Sequence, residues 1–233
     1  MRNTEWRNWF VHVLQAVLII ALFVPNVLRA QQRVAFVTVD SAQIFADLYG
    51  TGERGVVLAH GGRFNKASWK QQAQTLAAAG FRVLALDFRG YGDSRGAGQE
   101  DPLSAPLHLD VRAAIRFLKR EGATRVAVIG GSMGGAAAAN ASQTGEVECL
   151  VLLAPMAIEH PERMRGRKLF ITAANDTTAS GKPRLIKIRE QFEQAPEPKE
   201  WMIVAGHAHA QALFESGAEE KVMREILRFL AKP

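Results

Sequence analysis

The stretch from Arg125 to Asn140, RVAVIGGSMGGAAAAN, constrains this chain more than any other. A β-branched apolar run (Val126, Val128, Ile129) meets two glycines, Ser132, Met133 and two more glycines, and an alanine-rich helix former follows. The order reads as strand, very tight turn and helix, with Ser132 at the apex of a G-x-S-x-G sequence. The glycines have a physical task. A turn this sharp strains the backbone of the residue at its tip and brings neighbouring segments so close that a Cβ would clash. The five-residue string alone carries little weight; the strand before it and the helix after it supply the rest.

The flanking chain repeats the alternation. GVVLAH and FRVLALDF before this stretch, and CLVLLAP, KLFITAAND and EWMIVAG after it, are short apolar runs suited to strands covered on both faces. Helical patterns separate them: SWKQQAQTLAAAG, with Ser68 as N-cap and Gly80 as stop, then the amphipathic PLHLDVRAAIRFLKREG, PRLIKIREQFEQA, and a last helix from Glu219 to Leu230. Ahead of them VAFVTVD and QIFADLYG alternate around Asp40-Ser41, the pattern of an antiparallel hairpin. The expected fold is therefore α/β, a mostly parallel sheet with an N-terminal antiparallel hairpin and helices on both faces. With 233 residues, 48% of them hydrophobic, one such domain is expected over residues 33–233.

Residues 1–30 stand apart. Arg2 and Arg7 precede an apolar run from Val11 to Val24, Pro25 breaks it, and Leu28-Arg29-Ala30 leads into the polar Gln31-Gln32. This is the layout of a secretory signal peptide, although Leu28 is larger than the residue usual there. The apolar run, about 14–18 residues, is borderline for a membrane span. Export to the periplasm or medium with cleavage near Ala30 is the expectation, and an uncleaved membrane anchor is its alternative. The net charge of +6 is scattered, with no basic stripe interleaved with aromatics, which leaves nucleic-acid binding without a footing. The single Cys149 rules out an intramolecular disulfide and a cysteine metal cluster, and its place in CLVLLAP marks a buried structural thiol.

In a sheet of this kind the reactive groups gather at the carboxyl ends of the strands. GVVLAH ends in His60-Gly61-Gly62-Arg63, RVAVIG in Ser132, KLFITAAN in Asp176, and EWMIVAG in His207-Ala208-His209. Serine, acid and histidine in that chain order follow the α/β-hydrolase arrangement. From about Val34 onward the chain resembles a small α/β-hydrolase of the serine esterase and lysophospholipase-like kind. LAHGGRFN, LDFRGYGDS, GGSMGG, the aspartate after the next-but-one strand and the late histidine carry the resemblance. It implies the α/β-hydrolase fold, with Ser132 as nucleophile, Asp176 as the acid, and the N–H groups of Gly62 and Met133 as an oxyanion hole. It also favours His209 as base, because His209-Ala210 opens a short helical entry, and leaves His207 as a second candidate. Asp87 and Asp93 are read as fixing the RGYGDS loop by local hydrogen bonds. His60 is read as structural, His108 and His160 as surface residues, and Arg63 and Phe64 as rim residues. No metal or organic cofactor is needed.

These residue types suit one chemistry. A serine hydroxyl is a poor nucleophile at neutral pH and needs an adjacent base. Histidine titrates near operating pH and can return the proton to a leaving alcohol, while a carboxylate fixes the imidazole tautomer. Backbone N–H donors aimed at the developing oxyanion are worth roughly 3–4 kcal/mol each. Only MAIEHPERMRGR separates CLVLLAP from KLFITAAND, too little for a cap domain. The site should be open and suited to a small or water-soluble ester. The expectation is an exported serine hydrolase that cleaves carboxylic esters through an acyl-enzyme. Thioester or amide cleavage would use the same groups, and a membrane-tethered, non-catalytic binding protein could use the same fold. Serine at the elbow excludes an aspartate-nucleophile dehalogenase and a cysteine-nucleophile dienelactone hydrolase.

Overall fold

Eight strands share one sheet in the computed structural model, which describes residues 31–232; the expected signal peptide or anchor over 1–30 lies outside them. The strands are β1 (Gln32–Val37), β2 (Gln43–Tyr49), β3 (Arg54–Ala59), β4 (Phe81–Leu86), β5 (Arg125–Gly131), β6 (Cys149–Leu153), β7 (Arg167–Ala173) and β8 (Lys199–Val204). The helices are α1 (Lys70–Ala78), α2 (Leu107–Arg120), α3 (Met133–Ser142), α4 (Leu185–Gln194) and α5 (Glu219–Ala231). Across the sheet the order is β1-β2-β4-β3-β5-β6-β7-β8. β1 and β2 form the antiparallel hairpin, Gln32 opposite Leu48 and Val37 opposite Gln43, and β2 also runs antiparallel to β4. All the other pairings are parallel.

The continuous apolar strands follow from burial on two sides. In β3, Val57 and Ala59 join the core beneath α2, α3 and α4, while Val56 and Leu58 join the core beneath α1 and α5. Successive side chains of a strand point to opposite faces, so both must be apolar. β3 and β5 are neighbours whose following helices, α1 and α3, lie on opposite faces. That divergence opens a crevice at the carboxyl ends of the two strands, the place where ligands sit in open α/β sheets. Between β6 and β7 stands only a short loop with one 3-10 turn, Pro161–Arg163, and no cap domain.

Two local expectations are corrected. Ser68 does not cap α1. A 3-10 turn, Lys66–Trp69, precedes that helix and is capped by Asn65, whose side chain accepts from the Ala67 N–H at 3.0 Å. The Ser68 hydroxyl instead donates to the Asn65 carbonyl. The reason is non-local: Asp87, just past β4, accepts the Lys66 N–H at 2.7 Å and starts the helical run earlier than the local pattern suggests. Nor do the Asp87 and Asp93 carboxylates fix the RGYGDS loop by local bonds. Ser94 does so, donating its hydroxyl to the Asp87 carbonyl and accepting the Phe45 N–H, while the exposed Asp93 pairs with Arg33 on β1.

The loop after β4 is anchored by a buried guanidinium. Arg89 is fully buried, with Nη2 2.6 Å from Asp110 Oδ1 on α2 and Nη1 2.6 Å from Asp40 Oδ2 in the hairpin turn. The hydrogen bond from Arg89 pulls the Asp40 carboxyl down to about 2 from 3.8. A carboxyl depressed by folding stabilises the fold above its unfolded pKa and loses that contribution as pH falls through its folded one. Asp40→Asn is therefore expected to lower the urea midpoint at pH 7. The gap to the unmodified protein should close as the pH falls from about 4 towards about 2.

Cys149 is buried, and burial pushes its thiol up to about 12, which removes it as a nucleophile. Among the described residues no helix is long and apolar enough to cross a membrane, and no group of three or more His, Cys, Asp or Glu side chains could hold a metal ion.

Candidate active site

Ser132 stands between β5 and α3 with φ 50° and ψ −113°, a conformation that L-residues rarely adopt. Such a residue carries about 1–3 kcal/mol of strain, which its surroundings must hold in place. Here they do so with backbone. The Ser132 N–H donates to the Leu153 carbonyl at 2.9 Å, and its own carbonyl accepts from the N–H groups of Ala136 (3.1 Å) and Met156 (3.0 Å). The flanking glycines are required by close approach. A Cβ on Gly130 would strike the Gly134 carbonyl, and one on Gly134 would strike the Ala59 carbonyl at the end of β3.

The strand ends deliver the other groups. His209 Nε2 lies 2.9 Å from Ser132 Oγ, and His209 Nδ1 lies 2.7 Å from Asp176 Oδ2. The serine and histidine are 77 residues apart in sequence, and the histidine and aspartate 33. Pairing continues past β7 and β8: the Ala174 N–H donates to the Val204 carbonyl and the Asn175 N–H to the Gly206 carbonyl, which holds the two loops side by side. Asp176 is 1% exposed, whereas the His209 side chain is 31% exposed and opens to the cleft. Ala210, next to His209, is buried with φ 52°, and the Cβ that Gly131 lacks would stand 3.3 Å from its methyl, so the residue after the histidine must be small. His207 sits on the exposed turn after β8. The two expected oxyanion residues, Gly62 and Met133, both line the same cleft as Ser132 and His209, and so do Arg63 and Phe64.

Three contributors escaped the sequence reading. Gln211, two residues past His209, is buried and accepts the Gly61 N–H at 2.6 Å while donating to Ser68 Oγ at 2.6 Å, which ties the loop after β3 to the histidine loop. Its adjacency to His209 is the one available signal. Tyr91, in the RGYGDS loop, donates its hydroxyl to the Gly62 carbonyl at 3.0 Å. Arg184, at the start of α4, places Nε 3.5 Å from Asp176 Oδ1 and donates it to the Thr177 carbonyl at 3.2 Å. Nothing in the local sequence points to that contact.

The remaining histidines divide. His60 is buried, its Nε2 accepting the Phe88 N–H at 3.2 Å and its Nδ1 2.9 Å from the Gly61 carbonyl. An N–H donor on Nε2 puts the proton on Nδ1, and burial pushes the ring's pKa below its ordinary value. It is a structural, neutral imidazole. His160 is exposed, whereas His108 is half-buried rather than a surface residue. The cleft holding Ser132 and His209 has a volume of ≈ 630 Å³, and its other walls include Leu103, Met156 and Thr177.

Comparison with known proteins bears on this arrangement. The profile of the alpha/beta hydrolase family matches residues 56–229. Bifunctional epoxide hydrolase 2 of Sus scrofa is 34% identical over 110 residues, which are 47% of this chain and 17% of that protein. Protein phosphatase methylesterase 1 of Bos taurus is 30% identical over 107 residues, 45% of this chain and 28% of that protein. The chain thus spans less than a third of either relative. The AB hydrolase superfamily protein YisY of Bacillus subtilis is 30% identical over 177 residues, 71% of this chain and 64% of that protein. Among solved structures an esterase of Pyrococcus furiosus superposes with a TM-score of 0.72 at 18% identity, covering 86% of this chain and 91% of the other, a likeness in fold.

Proposed function

We propose, on the premise that this chain belongs to the alpha/beta hydrolase family, that it hydrolyses carboxylic esters through an acyl-enzyme formed on Ser132. The observation that carries this reading is the hydrogen-bonded row Ser132 Oγ–His209 Nε2–Asp176 Oδ2, at 2.9 and 2.7 Å, opening on a cleft.

The steps follow from that row. Ser132 Oγ attacks the ester carbonyl carbon as its proton passes to His209 Nε2, and the carbonyl π pair moves onto oxygen. The N–H groups of Gly62 and Met133 are assigned to that oxyanion; Met133 opens α3, where the helix dipole also favours negative charge. As the tetrahedral species collapses, the C–O bond to the alcohol breaks and His209 gives its proton to the departing oxygen. Water then attacks the acyl carbon, with His209 taking its proton; the bond from that carbon to Ser132 Oγ breaks as His209 returns the proton to Oγ, which releases the carboxylic acid and restores the serine hydroxyl. Asp176 keeps the His209 proton on Nδ1 and stabilises the imidazolium. Export, with residues 1–30 as a leader removed near Ala30, belongs to the proposal and rests on the sequence.

A small fluorophosphonate probe tests the mechanism. The probe is expected to attach covalently, with the added mass on the peptide that contains Ser132. The intact protein failing to react would overturn the acyl-enzyme reading in favour of a non-catalytic binding protein. Short-chain ester, thioester and anilide substrates then rank the scissile bond, with esters expected first.

A further inference from the structure

We propose that Gln211 is a positioning residue for the oxyanion hole: its side-chain amide fixes the Gly61–Gly62 peptide so that the Gly62 N–H faces the reacting carbonyl, and it ties that donor to the loop that carries the base. This rests on the ester-hydrolase reading and deepens it, since no step of the reaction above calls on Gln211.

The backbone groups of the two glycines are held at every polar atom but one. The Gly61 N–H donates to Gln211 Oε1 at 2.6 Å. The Gly61 carbonyl receives the Phe64 N–H at 3.0 Å and the His60 Nδ1–H at 2.9 Å. The Gly62 carbonyl accepts the Tyr91 hydroxyl at 3.0 Å. In a trans peptide the N–H points opposite to the carbonyl before it, so the Gly62 N–H is turned away from His60 and Phe64. It has no hydrogen-bond partner among the described residues. Both glycines line the cleft, and a Cβ on Gly61 would stand 3.4 Å from the Ser132 Cβ. A free N–H beside the nucleophile is what a developing oxyanion needs.

Of these partners Gln211 alone comes from the segment of the base. It follows His209 by two residues in the 3-10 turn Ala210–Glu215, where the Ala212 N–H donates to the His209 carbonyl at 3.0 Å. Its amide is buried, and its neighbours allow one orientation. The Ser68 hydroxyl already donates to the Asn65 carbonyl, so it accepts from Gln211 Nε2 at 2.6 Å, and Oε1 is left to face the Gly61 N–H. The Cβ that Gly131 lacks would stand 3.0 Å from Oε1, which places the amide between the elbow and the loop after β3. A side chain bonded at both ends and enclosed in this way determines where Gly61 sits. Displacing a reacting geometry by about 1 Å can cost a hundredfold in rate.

Gln211→Met keeps the length of the side chain and removes both polar ends. Rates are taken per Ser132 titrated to completion by the fluorophosphonate, so a loss of folded protein cancels. The variant is expected to lower kcat on a short-chain p-nitrophenyl ester roughly 10–100-fold with KM within about threefold, short of the roughly 10²–10³-fold loss for a donor removed outright. The Ki of 1,1,1-trifluoro-2-hexanone should rise by a similar factor. Ser132 Oγ adds to that ketone's carbonyl carbon as the serine proton passes to His209 and the π pair moves to oxygen, so the adduct needs the same donor. The acid limb of the kcat/KM profile should stay in place, because the His209–Asp176 contact is untouched. Ser68→Ala, at an exposed position, should act in the same direction by roughly three- to tenfold. The double variant should be no worse than Gln211→Met, since Ser68 acts through the amide. Unchanged kcat and Ki, a fall in kcat with Ki unmoved, a shifted acid limb, or additive losses in the double variant would each overturn the assignment and leave the ester reading intact. Should Gln211→Met not fold, Ser68→Ala decides alone, and an unmoved Ki there overturns it. An unmodified protein that neither labels at Ser132 nor hydrolyses any ester sinks the ester reading and this role with it.

Discussion

His209→Ala is expected to lower kcat on a short-chain p-nitrophenyl ester by roughly 10⁴–10⁶-fold, while His207→Ala stays within about threefold of the unmodified enzyme. The asymmetry follows from position. His209 is the imidazole within 2.9 Å of Ser132 Oγ and within 2.7 Å of Asp176, whereas His207 lies on an exposed turn. Removing the base leaves an alcohol that must lose its proton to water. Ser132→Ala should be about as severe as His209→Ala, and the double variant little worse than either, because the groups act as a unit and their losses do not add. Steady-state kinetics on the four variants and the unmodified protein provides the check. If His207→Ala proves the inactive variant, the base has been assigned to the wrong ring.

Asp110→Ala is expected to be strongly destabilising, lowering Tm by roughly 6–20 °C. Arg89 and Asp110 are both fully buried, and the aspartate receives hydrogen bonds from the Arg89 backbone N–H at 3.0 Å, from Nε at 3.0 Å and from Nη2 at 2.6 Å. Removing one partner of such a pair leaves a charge in the interior and costs about 3–5 kcal/mol. In a domain of this size each kcal/mol moves Tm by roughly 2–4 °C. Asp40 remains beside the guanidinium but is partly exposed and cannot replace the lost contacts. Arg89→Met in the Asp110→Ala background should recover part of the loss, since no charge is then stranded. Calorimetry on the two variants measures both shifts, and a fall of less than about 2 °C for Asp110→Ala would mean that water reaches Arg89.

Much of this architecture was legible because it depends on short-range regularities. The two-sided burial of β3, β4 and β5 shows as unbroken apolar runs, and the hairpin β1–β2 as alternation. The elbow is readable because backbone collision leaves Gly130 and Gly134 no alternative to glycine. What could not be read depends on contacts between distant segments. Ser68 satisfies the local rule for a cap, yet Asp87 reaches across from β4 and moves the start of the helical run to Lys66. Asp93 looks like a loop-closing residue, but its partner Arg33 is 60 positions away. Arg184 and Gln211 are ordinary polar residues in sequence and gain meaning only when the ends of β3, β7 and β8 come together. The two late histidines show the same limit: the family resemblance favours one, and only the three-dimensional path of the loop after β8 separates their distances to Ser132.

Because serine, acid and histidine are each carried at the end of a different strand, with β6 and β7 between the first and the last, no fragment of the sheet holds a working set. Turnover should therefore return late in refolding, after the helical circular-dichroism signal, and only once β8 has docked. On the proposed ester-hydrolase reading, a partly folded intermediate would be silent towards esters, and activity becomes a gauge of complete assembly.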